Sequence, residues 1–240
     1  MVNGQEIARG HGKACPLASP GHPWSMLRMY INTVILGAGA AGMMCAAHAG
    51  GDCLVIDHAK SPGEKIRISG GGRSNFTNLD VTPENYLSQN PHFCKSALAR
   101  YTQWDFISLV DQYGIAWHEK TLGQLFCDGS AKQIVAMLVE ELTKAGAQLW
   151  LLTSLETVQY EDGHYQLTLL REGKPHKVRC KNLVLATGGK SIPKMGATGL
   201  AYDIARQFDL PLIDTRPGLV PFTFPEGRFA TLAGTALPAR

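Results

Sequence analysis

The stretch that decides the fold is "VILGAGAAGMMCAAHAG", residues 34–50. An apolar, β-branched run over 30–36 ends directly in Gly37, as a buried strand does. The letters that follow satisfy G-x-G-x-x-G at Gly37, Gly39 and Gly42. An Ala- and Met-rich segment then runs as a short helix to a glycine stop at Gly50-Gly51. Gly37 permits the tight turn out of the strand, Gly39 lets a pyrophosphate approach the backbone, and Gly42 lets the helix pack closely on the strand. The N–H groups at the start of the helix, at Ala40 and Ala41, then face the anion with the helix dipole behind them.

Downstream, "CLVID" over 53–57 predicts a second buried strand, which makes strand, turn, helix and strand the βαβ unit of a parallel sheet. Asp57 closes it, 20 residues beyond Gly37. A carboxylate there accepts hydrogen bonds from a ribose and repels a 2′-phosphate. NADP at this turn is therefore disfavoured, and NAD or the adenosine half of FAD is favoured.

Further along, Thr102 with Asp105 reads as a capping box, and Ser130 opens a helix whose apolar residues repeat to Leu142. From 147 the period changes to two. "AQLWLLTSLETVQY", "HYQLTLL" and "HKVRC", jointed at Asp162-Gly163 and Glu172-Gly173, predict a three-stranded antiparallel meander. "NLVLATGG", 182–189, reads as a further buried strand with Ala186, Thr187 and Gly188 at its mouth, before a helix in "TGLAYDIARQF". A parallel sheet interrupted by a meander and resumed by a strand ending in A-T-G is the order of a flavoprotein of the two-dinucleotide-binding type. The expected fold is thus α/β, a Rossmann-like FAD-binding domain with helices on both faces of the sheet.

The glycine-rich "KIRISGGGRSNFTN", 65–78, then has a task. An FAD stretched from the first strand passes this loop. Main-chain N–H groups of Gly70, Gly71 and Gly72 would form an anion-holding concavity. Arg67, Ser69, Arg73, Ser74 and Asn75 are the candidate contacts to the ribityl chain or flavin.

The bulk numbers are compatible with this. In 240 residues, 45% are apolar and 18% charged, enough for a sizeable core and no sign of general disorder. A net charge of +3 without a Lys/Arg stripe is too little to argue for a nucleic-acid partner, and no DNA partner is expected. Six scattered cysteines without a C-x-x-C pair read as reduced thiols in a cytoplasmic protein. No run of about 18 apolar residues predicts a membrane span. Residues 1–28, rich in Gly, Pro, Ser and His, read as a disordered extension, with Met29 as a plausible start of the folded part. No His pair has metal-ligand spacing, so no metal is expected. His58 and His118 lie near candidate loops, Lys190 and Lys194 flank a loop that could position an anion, and Trp104, Trp117 and Trp150 are expected to pack the core or support the sheet. No residue is identifiable as a catalytic acid.

Together "VILGAGAAG", "PGEKIRISGGGRSNFTN", "LGQLFCDGSA", "LVLATGGKSIPKMGATGLAYDIA" and "GLVPFTF" resemble the YhiN/BaiN-like family of FAD-dependent, NAD(P)-linked oxidoreductases. The resemblance implies noncovalent FAD, NADH or NADPH as electron donor, and contacts at Ala41, Asp57, Lys65, the Gly70–Gly72 loop and the main chain near Leu155. It implies an acceptor with an electron-poor carbon–carbon double bond, either a small enone or a uridine in RNA. Members are longer than this chain, which leads to an expectation of an FAD-binding domain over 29–209 and the beginning of an inserted domain over 210–240. A non-catalytic nucleotide-binding fragment is the alternative. Where the family loop carries cysteine this chain has Ser74, which cannot act as a thiolate.

Overall fold

A computed structural model describes residues 29–191, 198–216, 224–225 and 227–235. The expected extension over 1–28, Cys15 and Lys194 fall outside them. The first unit is as the glycines predict: β1 Met29–Leu36, α1 Ala40–Ala49 and β2 Cys53–Ile56, with Gly50 as C-cap at φ 74°. β1 and β2 run parallel, Thr33 opposite Cys53 and Leu36 opposite Ile56. Because side chains alternate across a strand, the two strands feed two cores. Ile35 and Val55 pack with Met43 and Ala46 of α1, and Val34, Leu36, Leu54 and Ile56 enter the other.

The remaining helices are α2 Glu64–Ile68, α3 Lys95–Arg100, α4 Gln103–Gln112, α5 Ala131–Lys144 and α6 Leu200–Gln207. Val110 of α4 and Ile134, Met137, Leu138 and Leu142 of α5 close the first core, and Ile204 of α6 enters the second. Helices thus cover both faces. Both expected caps form. The Thr102 N–H donates to Asp105 Oδ2 at 2.7 Å, and Ser130 Oγ accepts from the Lys132 N–H at 3.2 Å. Trp150 is 9% exposed and packs as expected, whereas Trp104 of α4 is 58% exposed rather than packed in the core.

The strands after residue 147 correct two expectations. They are β6 Gln148–Trp150, β7 Thr153–Glu161, β8 His164–Arg171 and β9 Lys174–Leu185, and the main sheet runs β6-β2-β1-β9-β8-β7. "AQLWLLTSLETVQY" is not one strand. β6 pairs parallel with β2, and the chain breaks at Leu152, whose φ of 52° no strand continues, before β7 begins. "HKVRC" and "NLVLATGG" are not two strands either. No turn residue separates Cys180 from Asn182, so β9 runs on. It pairs antiparallel with β8 from Lys174 to Cys180 and parallel with β1 from Val178 to Leu185. The meander is therefore an extension of the parallel sheet. A second sheet that periodicity did not foretell joins β3 Asn75–Asn78, β4 Trp117–Glu119 and β5 Gln124–Cys127 in the order β3-β5-β4.

Cys53, Cys127 and Cys180 are buried and unpaired. Desolvation pushes the Cys53 thiol up to about 11 and the Cys180 thiol to about 12, and raises Cys127 as well. Their folded pKa values lie above the unfolded one, so their contribution to stability is complete below the unfolded pKa and is lost as pH climbs toward the folded values. Two results are expected. A thiol reagent at neutral pH should label these three only at the rate of unfolding, and the denaturation midpoint should fall above about pH 9. Rapid labelling of any of the three in the folded chain would contradict this burial. No helix among the described residues is long and apolar enough to cross a membrane.

Candidate functional site

The mouths of β1, β2 and β9 meet at one edge, and the three glycines of the turn divide the work there. The Gly37 N–H donates to the Ile56 carbonyl at 2.8 Å, and Gly37 adopts φ +109°. A Cβ on Gly37 would strike the Ala186 carbonyl, and one on Gly42 would strike the Gly37 carbonyl. Gly39 differs. It is the N-cap of α1 at an ordinary φ of −84°, and a Cβ there would meet nothing within 4 Å. Its glycine character serves neither fold nor turn, and it leaves open space over the N-terminus of α1.

Asp57, one residue past β2, is held rather than free. Its Oδ2 accepts from the Ala38 N–H at 2.7 Å and its Oδ1 from the Ala59 N–H at 2.9 Å. Asp57→Asn would turn an NH₂ towards one of these donors. The expected cost is about 1–3 kcal/mol, read as a lowered Tm, and an unchanged Tm would show that the carboxylate does not organise the turn.

The segment from Pro62 draws in the next wall. The Gly63 N–H donates to the Ala38 carbonyl at 2.8 Å, and a Cβ there would lie 2.8 Å from Val135 of α5. Pro62-Gly63 is a turn signal that could have flagged this contact. From α2, Lys65 Nζ reaches across the opening and donates to the Gly189 carbonyl (3.3 Å) and Ser191 Oγ (3.2 Å). That bridge joins residues over 120 positions apart, and no local pattern announces it.

Three adjoining clefts of about 400, 550 and 490 Å³ result. The first is lined by Ser154 and Leu155 with Gly37, Asp57, His58 and Thr187, and it shares those last four with the second. The second adds Gly39, Ala40, Ala41, Lys65, Ala186 and Gly188. The third shares Ala40 and Lys65 and continues past Ser69, Ser74 and Asn75 to Tyr101. Gly42 lies buried beneath this run as a packing residue.

The glycine loop itself departs from the open cradle that was expected. Ser69–Gly72 form a tight 3-10 turn with Gly70 and Gly71 left-handed. Arg67, Gly70, Gly71, Gly72 and Arg73 line none of the three clefts. Arg67 Nε donates to the Pro62 carbonyl at 3.0 Å, and a Cβ on Gly70 would lie 2.6 Å from the Phe126 ring. Ser74 is 3% exposed, its hydroxyl 3.4 Å from that of Ser69. Ser154 was missed as a lining residue because it sits among ordinary strand letters, while His58, singled out near a candidate loop, lines the first two clefts. Lys190 lies over the Tyr202 ring at 5.2 Å.

A run of clefts along the strand mouths, past a bare helix N-terminus and a fixed acid, suits an extended dinucleotide. The profile of the HI0933-like protein Rossmann domain matches residues 31–236. The chain belongs to this family. Two curated relatives frame it. The ribosomal RNA dihydrouridine synthase of Escherichia coli (strain K12) is 54% identical over 87% of this chain and 52% of its own length. The 3-dehydro-bile acid delta(4,6)-reductase of Clostridium scindens is 24% identical over 86% of this chain and 51% of its own. The chain therefore spans about half the length of the curated relatives it matches. Among solved structures, the 3-ketosteroid-delta4-(5alpha)-dehydrogenase of Rhodococcus jostii RHA1 aligns with a TM-score of 0.52 at 20% identity, over 68% of this chain and 47% of that one. The open conformation of a flavocytochrome c3 fumarate reductase also aligns at 0.52, with 18% identity over 76% and 41%. Both likenesses bear on the HI0933-like fold alone.

Proposed function

We propose that this chain is the FAD-binding part of an oxidoreductase that takes electrons from NADH or NADPH and saturates an electron-poor carbon–carbon double bond, with a uridine of ribosomal RNA as acceptor. The observation that carries the reading is Gly39, a glycine that neither the turn nor the packing needs, above the run of three clefts. The residues present fit FAD. Main-chain N–H groups at Gly39, Ala40 and Ala41 would hold the diphosphate, and Asp57 would take the ribose. The main chain near Leu155 would border the adenine. Lys65 would add a positive charge beside the diphosphate, with Thr187 and Gly188 opposite. Ser69, Ser74 and Asn75 would border the flavin end, and Arg67, Arg73 and the Gly70–Gly72 turn would support that end from behind. On this reading residues 29–209 form the cofactor domain, and 210–240 open an inserted one.

Bound FAD supplies the hydride chemistry, and the chain supplies orientation and field. The choice of acceptor rests on the name and 54% identity of the Escherichia coli relative. The more distant bile-acid reductase supports the same reaction class on a small enone. Purified protein should show a flavin band at about 450 nm that NADH or NADPH bleaches and that uridine-containing ribosomal RNA restores. Restoration by a small enone but not by RNA would move the acceptor. A band that no donor bleaches would favour a binding fragment without turnover.

A further inference from the structure

A uridine in RNA can meet a flavin only when it is unpaired and turned out of its strand, so its neighbours along the strand must be held as well. The third cleft, with Ser69, Ser74 and Asn75 at the flavin end, meets a fourth cleft of about 350 Å³ at Tyr86, which lines both. Glu84, Leu87, Pro91 and Lys95 also wall the fourth. Between β3 and α3 the chain joins neither sheet and is held by short-range bonds instead. The Tyr86 N–H donates to the Pro83 carbonyl at 3.1 Å, and the Thr82 N–H donates to Asn85 Oδ1 at 2.7 Å. Gln103 Nε2 of α4 ties the base of the segment to the Leu79 carbonyl at 3.0 Å. This fixed backbone turns apolar side chains to solvent, Tyr86 at 49% and Leu87 at 95% exposed. Core packing explains neither. From Tyr86 to Tyr101 the chain carries His92, Lys95 and Arg100 and no carboxylate. An open aromatic face with cations beside it suits a single-stranded nucleic acid, because bases stack on the ring and phosphates meet the charge.

We propose that this wall holds the nucleotide next to the target uridine, its base against the Tyr86 ring and its phosphate beside Lys95. The proposal rests on the reading that a uridine in RNA is the acceptor. The uridine reaches the flavin end through the third cleft while its neighbour stays behind in the fourth. Glu84, on the same wall as Lys95, opposes a phosphate there and holds the affinity down.

Fluorescence anisotropy of a labelled single-stranded oligoribonucleotide containing one uridine tests this on the full chain. Tyr86→Ala should bind it about 5–100-fold more weakly, and Tyr86→Phe, which keeps the ring, within about twofold of the parent. An abasic site beside the uridine, on one side of it, should cost the parent about the same factor and Tyr86→Ala little more. Lys95→Gln should flatten the slope of log affinity against log salt by about 0.7 and leave FAD affinity within about twofold. Glu84→Gln should tighten RNA binding. Overturning results are parent affinity in Tyr86→Ala, abasic sites without effect on either side of the uridine, or an oligoribonucleotide that does not bind the parent at all. Failure of the underlying reading looks different. The parent protein then lacks the band at about 450 nm, or its bleached flavin is recoloured by a small enone and not by RNA, whatever Tyr86 does to RNA affinity.

Discussion

Gly39→Ala is expected to leave the protein folded and to cost it its cofactor. A methyl group at this N-cap meets no protein atom within 4 Å, and φ of −84° suits alanine. The loss of a good N-cap residue costs no more than about 1 kcal/mol. The same methyl would stand where a diphosphate must touch main chain. FAD affinity should fall about 100-fold or more, equivalent to about 2.8 kcal/mol, while the Tm of the apoprotein moves by no more than a few degrees. Unchanged affinity would mean that nothing binds over this helix end.

Gly42→Val should do the reverse. Its Cβ would run into the Gly37 carbonyl, a backbone atom fixed by the Gly37 hydrogen bond to Ile56 and by the close approach of Ala186. A flexible neighbour could yield, but these strand ends can move only by unpacking α1 from the sheet. The expected loss is about 3 kcal/mol or more, roughly 6–12 °C in Tm for a chain of this size, with cofactor binding lost as a consequence. A Gly42→Val protein with the parent Tm would show that α1 is not seated as described. The two glycines, three residues apart, separate the ligand's demands from those of the fold.

What the letters disclosed was mostly local. The Gly37–Gly42 turn and the caps at Thr102 and Ser130 each depend on residues within a few positions, and the acid at Asp57 on a fixed spacing of about 20 from that turn; each lies where it was expected. Long-range pairing was not legible. Period two over 147–160 told of strand, but not that Gln148–Trp150 would join β2 while Thr153 onward joined β8. Nothing in "HKVRCKNLVL" reveals that one strand serves two neighbours of opposite direction, because alternation is the same for both. The sheet β3-β5-β4 was hidden because its strands are only three or four residues long.

The site divides in the same way. Gly37, Gly39, Ala40, Ala41 and Asp57 of the first βαβ unit line one cleft with Ala186, Thr187 and Gly188 of the later strand mouth and with Lys65, which only the resemblance had named. The glycine loop is different. Its bareness suggested an anion cradle, yet at Gly70 the cause includes the Phe126 ring, 56 residues away in sequence, against which no Cβ fits.

The most direct measurement of the central claim is a calorimetric titration of the protein with FAD and, separately, with FMN. An extended dinucleotide seated along all three clefts predicts one FAD site per chain. FMN, which lacks the adenosine and one phosphate, should bind about 100-fold more weakly. FMN binding as well as FAD, or no heat from either at about millimolar concentration, would contradict it.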